Sequence, residues 1–204
     1  ILSYSIRAAL ESGAFDEVMV STDDDEIVRV ARQWGATVPF LRSQDTSGDY
    51  ASTDDVILEV IRDYEKQGIC FERFCCIYPT APFLTAQRLR EAMALLDTAE
   101  SVMPVVAFSY PPQRGLIVEN GRVRRKYPQY QNTRSQDLEK IYHDCGQFYA
   151  CRTGAFLRDG TTDVADLVPI YLTDLEVQDI DTEEDWEIAE LKYRRLHTSD
   201  SAGA

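Results

Sequence analysis

Positive charge is scarce in this chain. Lys and Arg number 21 against 35 Asp and Glu, a formal net charge of −14. That balance excludes nucleic acid as a general partner, because phosphate backbones are gripped by clustered cations. It leaves anionic small molecules open, provided a site concentrates Arg, Lys or a metal ion locally. Long apolar runs are missing too, so no segment reads as membrane-spanning and no membrane partner is expected. The five cysteines, Cys70, Cys75, Cys76, Cys145 and Cys151, lack the spacing of a zinc site. Cys75 and Cys76 fall inside an apolar run and read as buried small hydrophobes, which fits a reducing, cytoplasmic setting. Repeats and linkers are also lacking, so residues 1–196 are expected to form one domain. The small, polar stretch 197–204 is expected to be disordered.

What is present is an alternation of strand and helix patterns. A helix is predicted from Leu2 to Ser12, closed by Gly13. Glu17–Ser21 reads as a short strand, and a helix follows to about Trp34 with Asp23 and Glu26 as a capping box. Residues 36–41 read as the next strand, and a helix starts at Thr53 as its N-cap. Phe74–Tyr78 is a continuous apolar run, the pattern of a strand buried on both faces. Thr85 caps a further helix, 102–108 and 146–151 read as strands, 168–172 as another, and 182–196 as the last helix. Such alternation predicts an α/β domain with a doubly wound, mostly parallel sheet. Ligands of such sheets sit at the carboxyl ends of the strands. Residues 111–143 are irregular and basic and read as an insertion carrying specificity or a dimer contact.

Polar clusters fall at the predicted strand ends. Asp179 and Asp181 lie two apart in an extended segment, so both carboxylates can face one pocket. Two convergent carboxylates make a partial Mg²⁺ site that leaves room for water and phosphate. Equally, Asp181 can be an N-cap with Glu184 completing a capping box, and the two roles are compatible because a carboxylate has two oxygens. Ser21, Thr22, Arg42, Ala51, Thr53, Tyr78, Arg134, Gln136, His143, Gln147 and Tyr149 stand at the other ends. Each alone has a plain structural reading as cap, turn or solvated surface residue.

Their order along the chain is more specific. Ser3-Tyr4-Ser5-Ile6, Val20-Ser21-Thr22-Asp23-Asp24, Val38-Pro39-Phe40-Leu41-Arg42, Tyr78-Pro79-Thr80-Ala81-Pro82-Phe83-Leu84, Asn132-Thr133-Arg134-Ser135-Gln136-Asp137-Leu138, His143-Asp144-Cys145-Gly146-Gln147-Phe148-Tyr149 and Val177–Trp186 follow one another as in a known family. On these segments the chain resembles the acylneuraminate cytidylyltransferases (CMP-nonulosonic acid synthetases), with the pseudaminic acid branch the better match. The resemblance implies a nucleotide-diphospho-sugar transferase-like fold and a reaction in which CTP and a nine-carbon acidic sugar give CMP-sugar and pyrophosphate. It implies that Asp179 and Asp181 bind catalytic Mg²⁺, and that Arg42, Ala51, Thr53, Ser21 and Thr22 hold the nucleotide. Tyr78, Arg134, Gln136, His143, Gln147 and Tyr149 would face the sugar, with Arg134 suited to its carboxylate. Tyr78 departs from sialic acid relatives, many of which carry Gln there. A homodimer is expected on the same ground. The family's opening strand and basic phosphate loop, Arg-x-x-Ser-Lys then Lys-Asn, find no match. The resemblance therefore implies a sequence incomplete at its N-terminus, lacking the first strand and loop. Sialic or legionaminic acid as the sugar, and a non-catalytic nucleotide-binding relative, are the alternatives.

Overall fold

The computed structural model describes residues 1–198, so residues 199–204 of the predicted tail 197–204 lie outside the described residues. Thirteen regular elements follow one another: α1 (Leu2–Ser12), α2 (Asp25–Gln33), α3 (Thr53–Lys66), β1 (Arg73–Ile77), α4 (Ala86–Leu95), β2 (Ser101–Ala107), β3 (Leu116–Glu119), β4 (Arg122–Arg125), β5 (Tyr142–Asp144), β6 (Phe148–Arg152), α5 (Thr153–Asp159), β7 (Leu167–Leu172) and α6 (Glu183–Thr198). No helix among the described residues is long and apolar enough to cross a membrane.

β2 is the centre of a five-stranded sheet. One of its edges pairs in parallel with β7, and the other meets β5 and then β6, both antiparallel. β1 pairs antiparallel with the far edge of β6. The α/β class stands, but the sheet is mixed rather than mostly parallel. Parallel neighbours need a crossover that packs on the sheet. The excursion 108–141 supplies no α-helix, so the chain returns beside β2 in the opposite direction. Within the excursion β3 and β4 form a separate two-stranded hairpin with Leu116, Val118 and Val123 exposed.

Period-2 alternation divides the apolar residues between two cores. Phe148 and Ala150 of β6 pack with Val102, Val106, Leu89 and Leu96 on the α1–α4 side. Cys151 packs with Ile57, Ala155 and Phe156 on the other side, where Phe74 and Cys76 also contact. A smaller cluster joins Ile6 of α1 to Val28, Ala31, Ala36 and Val38.

Two predicted strands are corrected. Glu17–Ser21 and 36–41 reduce to a single parallel bridge between Met19 and Thr37, held by Val20 N–H donating to Thr37 O (2.9 Å) and Thr37 N–H donating to Val18 O (2.9 Å). β1, read as buried on both faces, is half-buried at every residue. Its two faces are covered, as its unbroken apolar pattern implies, but its outer edge is open. Tyr78 N–H bonds Gln147 O at 2.8 Å, which in an antiparallel ladder turns the backbone groups of Cys75 and Ile77 away from β6. They face a groove of about 960 Å³ that Val18–Ser21 and residues of α1 and α3 also line. Hydrophobic periodicity reports faces, not edges, which is why the sequence did not show this opening.

Three helix caps fall one residue from their predicted positions. Asp24, not Asp23, caps α2 by accepting from the N–H groups of Glu26 and Ile27. Ser52, not Thr53, caps α3 and forms a capping box with Asp55. Thr182, not Asp181, precedes α6 and pairs reciprocally with Asp185 rather than Glu184. His197, expected in the disordered tail, belongs to α6 and stacks on Tyr193 with ring centroids 3.9 Å apart.

Candidate active site

The N-terminal side of β6 is where the site opens. Between β5 and β6 the chain turns through Cys145-Gly146-Gln147, with Gly146 at φ +60°, a backbone state natural to glycine. The turn separates Asp144 from Phe148 and leaves a cavity of about 480 Å³ at the carboxyl ends of β1 and β2. Tyr78, Val106, His143, Asp144, Tyr149, Asp174, Gln178, Asp179 and Lys192 are on its wall. Tyr78 also lines the larger groove, together with Ser21, Arg42, Ala51 and Thr53.

Tyr78 therefore stands between two hollows, and its contacts fix it there. Its hydroxyl shares a 2.7 Å hydrogen bond with Thr53 Oγ1. That bond is available because Ser52 does the capping. Its ring meets Tyr149 edge-on, centroids 5.7 Å apart. The Tyr149 hydroxyl donates to Asp144 Oδ2, and burial, then the Asp144 carboxylate, push that phenol well above its usual range. Asp144 Oδ1 also accepts the Gly146 N–H at 2.9 Å, which holds the turn. The result is a series of contacts Thr53–Tyr78–Tyr149–Asp144, two hydrogen bonds joined by a ring contact, from one hollow to the other.

On the groove side, Arg42 is aimed at Ser21. Its Nε donates to Ser21 Oγ at 3.1 Å and its Nη2 to Ser21 O at 2.5 Å. Thr22 is buried beneath, and its Oγ1 accepts the Asp24 N–H at 3.1 Å. On the cavity side, His143 rests on Phe108 (centroids 4.6 Å) with Nδ1 2.8 Å from Asp144 O. Burial pushes the neighbouring Cys145 thiol up to about 12, which leaves it protonated at neutral pH.

Asp179 lies on the cavity wall, while Asp181 is exposed and outside the wall. Neither carboxylate is engaged in a hydrogen bond among the described residues; the only bonds to these residues use backbone atoms, Asp179 O and Asp181 N. Gln147 is buried and turned away: its amide donates to Glu176 O at 2.5 Å. Burial would raise the Glu176 carboxyl, but the Thr173 N–H and the Arg88 guanidinium outweigh it and hold it below its usual value. Arg134 and Gln136 sit on the exposed excursion outside both hollows, and Arg134 is tied to Asp137 at 2.7 and 3.1 Å. No cluster of three or more metal-ligating side chains is found among the described residues. Asp144, Asp174, Gln178 and Lys192 are wall residues that sequence reasoning did not single out. Lys192 had a signal: Asp185, Ala189, Lys192 and Leu196 form the inward stripe of α6, and a Lys on such a stripe is out of place.

Comparison with known proteins gives the arrangement a context. A cytidylyltransferase family model matches residues 1–149. The pseudaminic acid cytidylyltransferase of Campylobacter jejuni is 37% identical over 202 residues, 98% of this chain and 87% of that protein. The CMP-N,N'-diacetyllegionaminic acid synthase of Legionella pneumophila is 28% identical over 200 residues, covering 93% of this chain and 83% of its own length. The structure of CMP:2-keto-3-deoxy-manno-octonic acid synthetase complexed with CTP matches with TM-score 0.63 at 14% identity, over 98% of this chain and 88% of that one. A 4-diphosphocytidyl-2C-methyl-D-erythritol synthase from Anaerococcus prevotii matches with TM-score 0.64 at 12% identity, over 95% and 88%. The two structural matches establish a nucleotidyltransferase-like α/β fold. With a family model spanning most of its length and both hollows meeting at the strand ends, the chain belongs to the cytidylyltransferase family.

Proposed function

We propose that this protein transfers a cytidylyl group from CTP to the nine-carbon acidic 2-keto sugar pseudaminic acid, releasing pyrophosphate. The observation that carries this reading is the position of Tyr78, the shared wall of two hollows of different character. The groove, with Arg42 braced on Ser21 beside Ala51 and Thr53, takes the nucleotide. The guanidinium fork suits an acceptor-rich pyrimidine edge. The smaller cavity, with His143 and Tyr149, takes the sugar. The anomeric hydroxyl gives up its proton to water and attacks the α-phosphorus, a P–O bond forms, and the bond to the β-phosphate breaks with pyrophosphate as leaving group. The protein's work in such a transfer is positioning and neutralisation of charge.

Asp179 and Asp181 would hold a divalent ion, Mg²⁺ in this reading. Their hard oxygen donors fit it, Asp179 is at the cavity, and the Asp181 carboxylate is spared from capping by Thr182. When bound, the ion supplies electrostatic stabilisation of phosphate charge.

Pseudaminic acid is favoured over legionaminic and sialic acids by the 37% identical Campylobacter relative, whose name specifies it. The legionaminic acid synthase likeness is the reason to test the second sugar. With CTP and Mg²⁺ fixed, kcat/KM for pseudaminic acid should exceed that for legionaminic and N-acetylneuraminic acids by at least about tenfold, the worth of one or two well-placed polar contacts. Faster turnover of either competitor would reassign the sugar.

A further inference from the structure

The small cavity carries a difficulty for an acidic sugar. Its wall holds three carboxylates, from Asp144, Asp174 and Asp179. A fourth carboxylate, brought in by the substrate, needs a cation close by. Arg134, the residue that the family resemblance offered for this task, lies outside the cavity and is already paired with Asp137.

Lys192 is on the wall. It reaches there from the inward stripe of α6, and it is half-buried. Its Nζ donates to Val177 O at 2.6 Å and to Gln178 Oε1 at 3.0 Å. Both acceptors are neutral, and Lys192 makes no ion pair within 4.0 Å among the described residues. An ammonium has three donors, and these bonds use two. Burial disfavours the cation and lowers the Lys192 pKa, and the attraction of Asp174, which is not an ion-pair partner, offsets this only in part. An anion entering the cavity relieves that cost. The nucleotide candidates Ser21, Arg42, Ala51 and Thr53 all line the other hollow, and the sugar is the substrate that the transfer reading seats in this cavity.

We propose that Lys192 binds the carboxylate of the acidic sugar in this cavity and makes the site selective for 2-keto acids over their uncharged analogues. The assignment rests on the cytidylyl transfer reading and adds a specificity residue to it. Charge-assisted bonds of this kind contribute enough to change affinity by about 10- to 100-fold.

The test compares pseudaminic acid with its C1 methyl ester, by calorimetric binding to the wild type, Lys192→Met and Lys192→Arg. Lys192→Gln is the second neutral variant, because its amide keeps a donor for Val177 O if Lys192→Met fails to fold. The wild type should prefer the acid about 10- to 100-fold. In the neutral variants acid affinity should drop until the preference disappears, while ester affinity stays within about twofold, and Lys192→Arg should keep most of the preference. KM for CTP should not move. A neutral variant that still prefers the acid overturns the assignment while leaving the transfer reading intact. A rise in the KM for CTP with acid preference retained moves Lys192 to the triphosphate and overturns it equally. A wild type that binds neither sugar overturns the transfer reading and this assignment together.

Discussion

Asp179→Asn should reduce Mg²⁺-dependent turnover about a thousandfold while leaving the fold in place. The amide keeps the size of the carboxylate but removes its charge, and a neutral oxygen is a poor ligand for a hard divalent ion. Losing transition-state stabilisation of about 4 kcal/mol, a typical share for charge neutralisation at phosphate, corresponds to that factor. Stability should barely change. Asp179 is exposed, and among the described residues the one hydrogen bond made to it uses its backbone carbonyl, with Gln178 Nε2 at 2.9 Å. Surface substitutions of this sort usually stay within about 0.5 kcal/mol. The measurement is steady-state pyrophosphate release across a Mg²⁺ titration, beside a thermal melt. Turnover within a few fold of the wild type would remove Asp179 from the chemistry. A collapsed melt would show that the carboxylate is structural.

The second large effect is on stability. Phe148→Ala should cost about 3–5 kcal/mol, the range for truncating a buried aromatic ring. Phe148 is 0% exposed. It lies opposite Ile77 in the β1–β6 ladder and packs in the cluster that includes Val102, Val106, Leu89 and Ile170. Helices cover this side of the sheet, so a vacated ring volume cannot collapse without moving α1 or α4. For a chain of this size each kcal/mol shifts the melting temperature by about 2–4 °C, so a drop of about 10 °C is expected. Activity should fall as well, because Gln147 and Tyr149 flank the ring and would lose their register. Phe148→Leu, which fills much of the volume, should lose about a third as much. A Phe148→Ala melt within 2 °C of the wild type would contradict the placement of the core.

The positions of the caps show what could be read from sequence and what could not. Thr22-Asp23-Asp24-Asp25, Ser52-Thr53 and Asp181-Thr182 are runs in which neighbouring side chains are all competent to cap. Residue type locates the helix start to within one position. The choice within each run is made by which oxygen meets the N–H groups two and three residues on. The displacement has functional consequences. Thr53 is free to bond Tyr78 because Ser52 caps α3, and the Asp181 carboxylate is spared because Thr182 meets Asp185.

The strand ends were legible because apolar runs stop where polar clusters begin, and Tyr78, His143, Tyr149 and Asp179 do line one cavity. Side-chain direction was not legible. Gln147 is on the expected segment, yet a half-turn at Gly146 sends its amide to Glu176. Arg134 carries the right charge for the sugar, yet Asp137, three residues on, claims it. Lys192 stands out on the inward stripe of α6, but the cavity it reaches is set by tertiary packing of α6 against Val177 and Gln178, which the stripe does not encode. The mixed sheet had the same origin: strand direction depends on how the excursion returns, and its irregular sequence left that undetermined.

The most direct measurement follows the α-phosphorus. CTP carrying ³²P at the α-position, incubated with the protein, Mg²⁺ and pseudaminic acid, should place the label in a CMP-sugar, with one pyrophosphate released for each sugar consumed. Label recovered as free CMP, or pyrophosphate released at the same rate without the sugar, would contradict the account.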